Sequence, residues 1–204
     1  TIDGGDGTDT LSLASGSHSF ATNANLQGID SITLASSATV VDLTGQTESL
    51  SITGGAGGDT ITSGSGDDII NFGVDGNGAG TIGRYYSEAG NDNLNMNNEW
   101  TWLHYDYKDE PATTPVLVNF SDQVQVIDGV SLDPFTVRDQ YNDVDTFSNT
   151  DKGAHFWGSE FDDEIIIGDV GNFFYASGGG NDTVTILGDN PKGTVDADWI
   201  ADAS

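Results

Sequence analysis

Residues 54–71 have the sequence GGAGGDTITSGSGDDIIN, which consists of two tandem nine-residue units. The first unit, 54–62, fits the pattern G-G-x-G-x-D-x-U-x at every fixed place, where U is a large apolar residue. The second unit, 63–71, lacks only the first glycine. The pattern is complete again at 4–12 and recurs in part at 25–33, 87–95, 158–166, 168–176 and 177–185. A recurrence this specific predicts one structural unit repeated along the chain.

Each unit combines a loop with a short strand. Glycine allows the positive φ angles that turn carbonyl oxygens inward, aspartate adds a carboxylate, and the apolar residue points into a narrow core. Two units then make one turn of a flattened parallel β-roll, and a calcium ion between stacked loops takes about six to eight oxygen ligands. The units that start at 158 and 177 are separated by 19 residues, close to the length of two units. We therefore predict that Asp163 and Asp182 lie on one edge and flank a shared calcium. Asp59 and Asp68 are one unit apart and are predicted on opposite edges.

The composition points to bound cations. Acidic residues number 33 against 5 Lys and Arg, for a formal net charge of −28, and the acids recur beside glycines. Self-repulsion on this scale opposes compaction unless several Ca²⁺ ions neutralise it. The same charge excludes nucleic acid and anionic membranes as partners. With no cysteine and three histidines, disulfides and thiolate or zinc sites are not expected. Thr1 opens inside a motif, so we expect a fragment of a longer chain, monomeric by itself.

The repeats resemble those of the RTX family, the hemolysin-type calcium-binding repeats of bacterial proteins exported by type I secretion. The resemblance covers residues 1–12, 45–95 and 158–190. It implies a β-roll that binds calcium and folds outside the cell. The glycines Gly57 and Gly66 would supply carbonyl ligands, whereas Phe161 replaces a motif glycine and insertions break the array. The carboxylate ligands implied by the motif, together with neighbouring aspartates, are Asp6, Asp9, Asp59, Asp67, Asp68, Asp92, Asp162, Asp163 and Asp182.

The predicted fold is all-β, an irregular calcium-bound parallel β-roll or β-solenoid interrupted by an aromatic-rich β insert. Residues 1–95 are assigned to rungs of the roll, 96–157 to the aromatic and acidic insert, and 158–204 to returning repeats. Strands are predicted at 31–35, 39–43 and 50–53 from their β-branched residues. Inside the insert, strands at 116–120 and 123–127 are predicted to pair around residues 121–122.

The insert offers a candidate ligand surface. The stretch EWTWLHYDY at 99–107 alternates like a strand, with Trp100, Trp102 and His104 on one face and residues 101, 103 and 105 on the other. Two interpretations stay open, an aromatic platform for a sugar or peptide and an aromatic core. Arg84 either binds a ligand carboxylate or pairs with a neighbouring acid. The candidate ligand contacts are Arg84, Tyr85, Tyr86, Trp100, Trp102, Tyr105, His155 and Trp157.

An acidic loop follows the aromatic stretch, at 139–151. It contains Asp139, Asp143, Asp145 and Asp151. The loop either holds a further calcium or is a mobile acidic segment.

Three function classes remain. The chain resembles the calcium-dependent peptide- or sugar-binding modules of large RTX adhesins, which implies recognition of a peptide or glycan on a host or neighbouring cell surface. The alternative is a structural RTX spacer or secretion segment of an extracellular enzyme or toxin. A polysaccharide-acting enzyme is the third class. The sequence contains no H-E-x-x-H or G-x-S-x-G motif and no cysteine nucleophile, so we expect no catalytic residues.

Overall fold

The tandem units at 54–71 each form a glycine-rich turn that ends at aspartate and continues as a short strand of β-branched and apolar residues. A computed structural model describes residues 1–73, 82–97, 101–105, 114–150, 153–168, 172–176 and 179–187. Within these ranges the chain forms strands and no helix, which confirms the all-β prediction. No helix in the described part is long and apolar enough to cross a membrane.

The strands are numbered in chain order. Their bounds are β1 Ile2–Asp3, β2 Thr10–Leu13, β3 Gly16–Ser19, β4 Leu26–Gln27, β5 Ser31–Leu34, β6 Thr39–Asp42, β7 Ser51–Thr53, β8 Thr60–Thr62, β9 Ile69–Asn71, β10 Gly83–Tyr86, β11 Asn93–Asn95, β12 Thr101–His104, β13 Leu117–Phe120, β14 Gln125–Ile127, β15 Val130–Leu132, β16 Thr136–Arg138, β17 Val144–Ser148, β18 Gly153–Trp157, β19 Glu164–Ile167, β20 Asn172–Ala176 and β21 Thr183–Ile186.

Two large sheets contain most of these strands. The ten-stranded sheet has the order β2-β5-β7-β9-β11-β17-β16-β13-β19-β21, and the seven-stranded sheet has the order β20-β18-β12-β10-β8-β6-β3. Along the chain, a strand of the first sheet is followed by a strand of the second, and we call each such pair a circuit. All pairings in the seven-stranded sheet are parallel. In the ten-stranded sheet, only β16 runs antiparallel to its neighbours.

The core lies between the two sheets. In the ten-stranded sheet, Ile32, Ile52, Ile70 and Leu94 are in register on successive strands and are fully buried. In the seven-stranded sheet, the aligned and buried residues are Val41, Ile61, Tyr85, Leu103 and Phe156. Ile61 and Ile70 are the apolar residues of their repeat units, so the structure confirms that this motif position faces the core.

The predicted strands at 31–35, 39–43 and 50–53 are confirmed as β5, β6 and β7. The predicted pairing of 116–120 with 123–127 is wrong. β13 pairs with β16 and β19, whereas β14 pairs with β15. The reason is the two-residue turn between β14 and β15, where Asp128 and Gly129 have φ angles of 46° and 75°. An Asp-Gly turn of this kind favours a tight hairpin and draws β14 away from β13.

The range 96–157 contains both regular and irregular circuits. β12 and β18 are neighbours in the seven-stranded parallel sheet and continue the register of β10. β17 pairs in parallel with β11 and continues the ten-stranded sheet. The departure from the parallel pattern is confined to β13–β16. The aromatic strands β12 and β18 are therefore integral rungs, and their alternate residues point into the core and out of the sheet.

Candidate functional site

The motif aspartates hold successive turns together through backbone hydrogen bonds. Asp59 accepts one from the Thr39 N–H of the preceding circuit through Oδ1, at 2.9 Å, and one from the Gly55 N–H of its own turn through Oδ2, at 2.9 Å. The same pair of bonds is made by Asp68 with Leu50 and Gly64, and by Asp163 with Val116 and Ser159. Each carboxylate therefore joins its own turn to the preceding one.

A carboxylate column runs along one edge of the ten-stranded sheet and consists of Asp9, Asp30, Asp68, Asp92, Asp145, Asp163 and Asp182. The backbone N–H of one aspartate donates to the carboxylate of the aspartate in the next circuit, at 2.7–2.9 Å. These donor–acceptor pairs are Asp9–Asp30, Asp68–Asp92, Asp92–Asp145 and Asp163–Asp182. Asp163 and Asp182 thus share an edge, as predicted. Asp59 precedes β8 of the other sheet, so its predicted placement opposite Asp68 is also confirmed.

Burial makes ionisation of the carboxyl groups in this column energetically unfavourable. Burial, reinforced by neighbouring carboxylates, raises the pKa of Asp68 to about 6 and that of Asp92 to about 7. The pKa of Asp145 is raised far above its ordinary value by burial and then by the carboxylates of Asp92 and Asp139. No Lys or Arg of the described residues lowers the pKa of these three carboxyl groups. Cations bound from solution would relieve the repulsion.

Two buried tyrosines support the column from inside the core. The hydroxyl of Tyr85 donates to Oδ2 of Asp92, and that of Tyr105 donates to Oδ2 of Asp145 at 2.8 Å. Both tyrosines are fully buried. The expectation that Tyr85 and Tyr105 contact a ligand is therefore wrong, because these side chains face the core and satisfy buried carboxylates.

Glycines allow the turns of successive circuits to stack closely. Gly55 lies so close to the preceding circuit that an added Cβ would be 1.7 Å from the Ala35 carbonyl oxygen. Gly66 stacks in the same way on the Glu48 carbonyl oxygen, and Gly57 on the Ala38 backbone nitrogen. The absence of a Cβ at these glycines thus allows successive turns to lie in direct contact. The role of Gly57 and Gly66 as carbonyl ligands stays a prediction.

The individual carboxylates differ in their freedom to bind an ion. Asp9 Oδ2 is buried and has no hydrogen-bond partner among the described residues. Asp67 and Asp162 lie exposed at turns and accept N–H bonds from Asn91 and Asn181 of the next circuit, at 2.9 Å and 2.7 Å. Asp6 is exposed in the first turn. In the described ranges no three His, Cys, Asp or Glu side chains converge on one metal-sized position, so backbone carbonyls would have to complete a calcium shell.

The acidic loop that follows β16 is ordered by its own carboxylates. Oδ1 of Asp139 accepts the N–H groups of Tyr141 and Asp143, at 2.9 Å and 3.0 Å, and Asp143 accepts the Gly90 N–H at 2.8 Å. Asp139 and Asp145 are fully buried, and burial raises the pKa of Asp139 to about 7. The loop is therefore packed against the turn at residues 87–90. Asp151 lies outside the described residues.

An aromatic face covers the outer side of the seven-stranded sheet over β10, β12 and β18. We define it by Arg84, Tyr86, Trp102, His104, His155 and Trp157, all of them partly exposed. Two rows cross the strands in register, one formed by Arg84, Trp102 and His155 and the other by Tyr86, His104 and Trp157. Strand alternation places these residues outward because their neighbours in sequence are buried.

The rings of the aromatic face are in mutual contact. His104 stacks between Tyr86 and Trp157, with ring centroids 4.4 Å apart on both sides and interplanar angles of 12° and 14°. Trp102 lies 5.1 Å from Trp157 and 5.7 Å from His155. The pKa of His155 is lowered by burial, which favours the neutral imidazole.

Most residues of this face were predicted from the sequence as candidate ligand contacts. The alternation predicted at 99–107 is confirmed for residues 101–105, and Trp100 lies outside the described residues. The alternation predicts His104 on the same face as Trp102. His104 was nevertheless missed as a candidate ligand contact. Tyr86, Trp102, His155 and Trp157 come together as one surface, whereas nothing in the sequence indicated that β10 and β18 flank β12.

No family model, curated protein or solved structure matches the chain. Arguments about function therefore depend on two features of the molecule itself. One is the carboxylate column with its stacked glycine turns, and the other is the aromatic face.

Proposed function

We propose that this chain is a calcium-dependent extracellular ligand-binding module, of the adhesion type, on a β-solenoid of RTX-like repeats. The observation that carries the proposal is the aromatic face. A purely structural circuit needs apolar residues only on its inner side, and β3, β6 and β8 present small or polar residues at most of the corresponding outer positions. Two tryptophans and two histidines on the outer side of β12 and β18 are therefore assigned to recognition.

Calcium has a structural role in this proposal. The motif residues Asp9, Asp59, Asp68, Asp92 and Asp163, with carbonyl oxygens of the stacked turns, would hold the ions. The bound charge would offset repulsion within the column and fix the turns between which β10, β12 and β18 run. Calcium would thereby position the aromatic face without contacting the ligand.

Coupling of calcium binding to folding is also compatible with secretion of an unfolded chain. An ion that binds only the folded form stabilises it by RT ln(1 + [Ca²⁺]/Kd), about 2.7 kcal/mol per site at a hundredfold excess over Kd. Extracellular calcium modules have Kd values of roughly 10⁻⁴–10⁻³ M. The chain would be unfolded at the low free calcium of the cytosol and would fold after export.

Binding to peptide and glycan arrays in millimolar calcium, with a matched EDTA control, tests the proposal. We expect calcium-dependent binding that Trp157→Ala abolishes. Val40→Ala is the matched control, because Val40 is 43% exposed and lies on the same outer face three strands away from β12. If the calcium-folded protein binds neither array, the ligand-binding proposal fails and the structural-spacer alternative replaces it.

A further inference from the structure

Arg84 is unusual in a chain with 33 acidic and 5 basic residues. Its guanidinium carbon lies 4.6 Å from the centroid of the Trp102 ring. Among the described residues, no carboxylate forms an ion pair or hydrogen bond with this side chain. Of the two roles predicted for Arg84, pairing with a neighbouring acid is therefore not observed within the described part of the chain. The indole holds the guanidinium in place and leaves its N–H groups to bind another partner.

The described residues in the row of Arg84 are not acidic. In its row, the preceding strands contribute Thr60 and Val40. Asp42 is an acid on the outer face, but it lies in the other row. It is two strands from Tyr86 and therefore roughly 9.6 Å away across the sheet. Its carboxylate is occupied by the hydroxyls of Ser19 and Thr44, at 3.0 Å and 2.6 Å.

The geometry points to a glycan bearing an isolated carboxylate as the ligand of the aromatic face, with Arg84 binding the carboxylate through two N–H groups. This inference rests on the proposed ligand-binding function. Trp102 lies against Arg84, and the rings of His155 and Trp157 lie 5.7 Å and 5.1 Å from Trp102. Partly exposed aromatic rings beside a guanidinium suit the C–H face of a sugar ring that also bears a carboxylate.

Two observations select this ligand class. β10 and β12 have a hydrogen-bonded neighbour on both sides, so an extended peptide finds no free strand edge with which to pair. The formal net charge of −28 would repel a polymer with a charge on every unit. A single carboxylate on an otherwise neutral glycan matches an arginine that has no acidic partner in the described part of the chain.

The test compares acidic oligosaccharides with their methyl esters, which differ only in the carboxylate charge, by titration against the calcium-loaded protein. We expect the free acid to bind about ten- to a hundredfold more tightly than the ester, because a hydrogen bond to a charged group is strong. Arg84→Gln should remove that preference, and Arg84→Lys should restore only part of it because lysine lacks the planar fork. Arg138→Gln, which removes the same charge from the ten-stranded sheet, should retain the preference.

The outcomes separate the two proposals. Equal affinity for acid and ester, with binding abolished by Trp157→Ala, overturns the carboxylate inference and leaves the ligand-binding function intact. Binding to peptides alone has the same meaning. Absence of binding to every glycan and peptide by protein that is folded in calcium overturns both. Circular dichroism in calcium establishes that each variant is folded before it is compared.

Discussion

Acidification should partly replace calcium, because the carboxylate column and Asp139, whose carboxylate raises the pKa of Asp145, destabilise the fold only when they are ionised. Burial and neighbouring carboxylates raise the pKa of Asp68 to about 6, and raise those of Asp92 and Asp139 to about 7, from an ordinary value of 3.8. A carboxyl group whose pKa is raised in the folded state favours folding when it is protonated. That contribution is lost as the pH rises through 6 to 7.

The magnitude follows from linkage. Between about pH 8 and pH 5.5, Asp92 and Asp139 each add about 2 kcal/mol to the free energy of unfolding of the calcium-free protein, and Asp68 adds just under 1 kcal/mol. Because an ordinary domain has a total stability of only about 5–15 kcal/mol, these three groups can decide whether the calcium-free chain folds.

The assay is far-UV circular dichroism in EDTA at both pH values, with sucrose added stepwise to favour compact states. We expect half-maximal β-structure at a lower sucrose concentration at the lower pH. Asp139→Asn should reduce this pH dependence. Asp128→Asn should leave it unchanged, because this exposed turn residue has a φ of 46° that asparagine tolerates. A sucrose midpoint that is independent of pH, or that rises on acidification, would refute the account of the column.

Two further substitutions test the turns and the buried tyrosines. Gly55→Ala places a Cβ 1.7 Å from the Ala35 carbonyl oxygen, so the urea midpoint in calcium should fall by the equivalent of at least about 2 kcal/mol; an unchanged midpoint would contradict direct stacking of the turns. Tyr105→Phe removes the 2.8 Å donor to buried Asp145 and should cost about 1–3 kcal/mol in the same assay. An unchanged urea midpoint would argue against a buried donor.

The sequence predicted the features that depend on local spacing. The repeat unit placed Asp163 and Asp182 on one edge because 19 residues approximate one circuit. Alternation placed Trp102 and Tyr105 on opposite faces of the aromatic stretch at 99–107. Both inferences need only a count of residues along the chain, and both agree with the structure.

The features that the sequence did not predict depend on which strands become neighbours. Alternation cannot tell which face of a strand is inside, so Tyr85 and Tyr105 were grouped with the surface aromatics. The pairing of β13 with β16 and β19 joins strands that are distant in sequence. The Asp128-Gly129 turn was a local signal for the β14–β15 hairpin and was overlooked.

The most direct test of the central claim is a calcium titration of the EDTA-treated protein at about pH 7.5, followed by far-UV circular dichroism. A magnesium titration at equal ionic strength is the control, because magnesium is smaller and gives up its water reluctantly. We predict little β-structure in EDTA and cooperative folding at a free calcium concentration of roughly 10⁻⁴–10⁻³ M. A complete β spectrum in EDTA, unchanged by calcium, would contradict the claim that this chain needs calcium to fold.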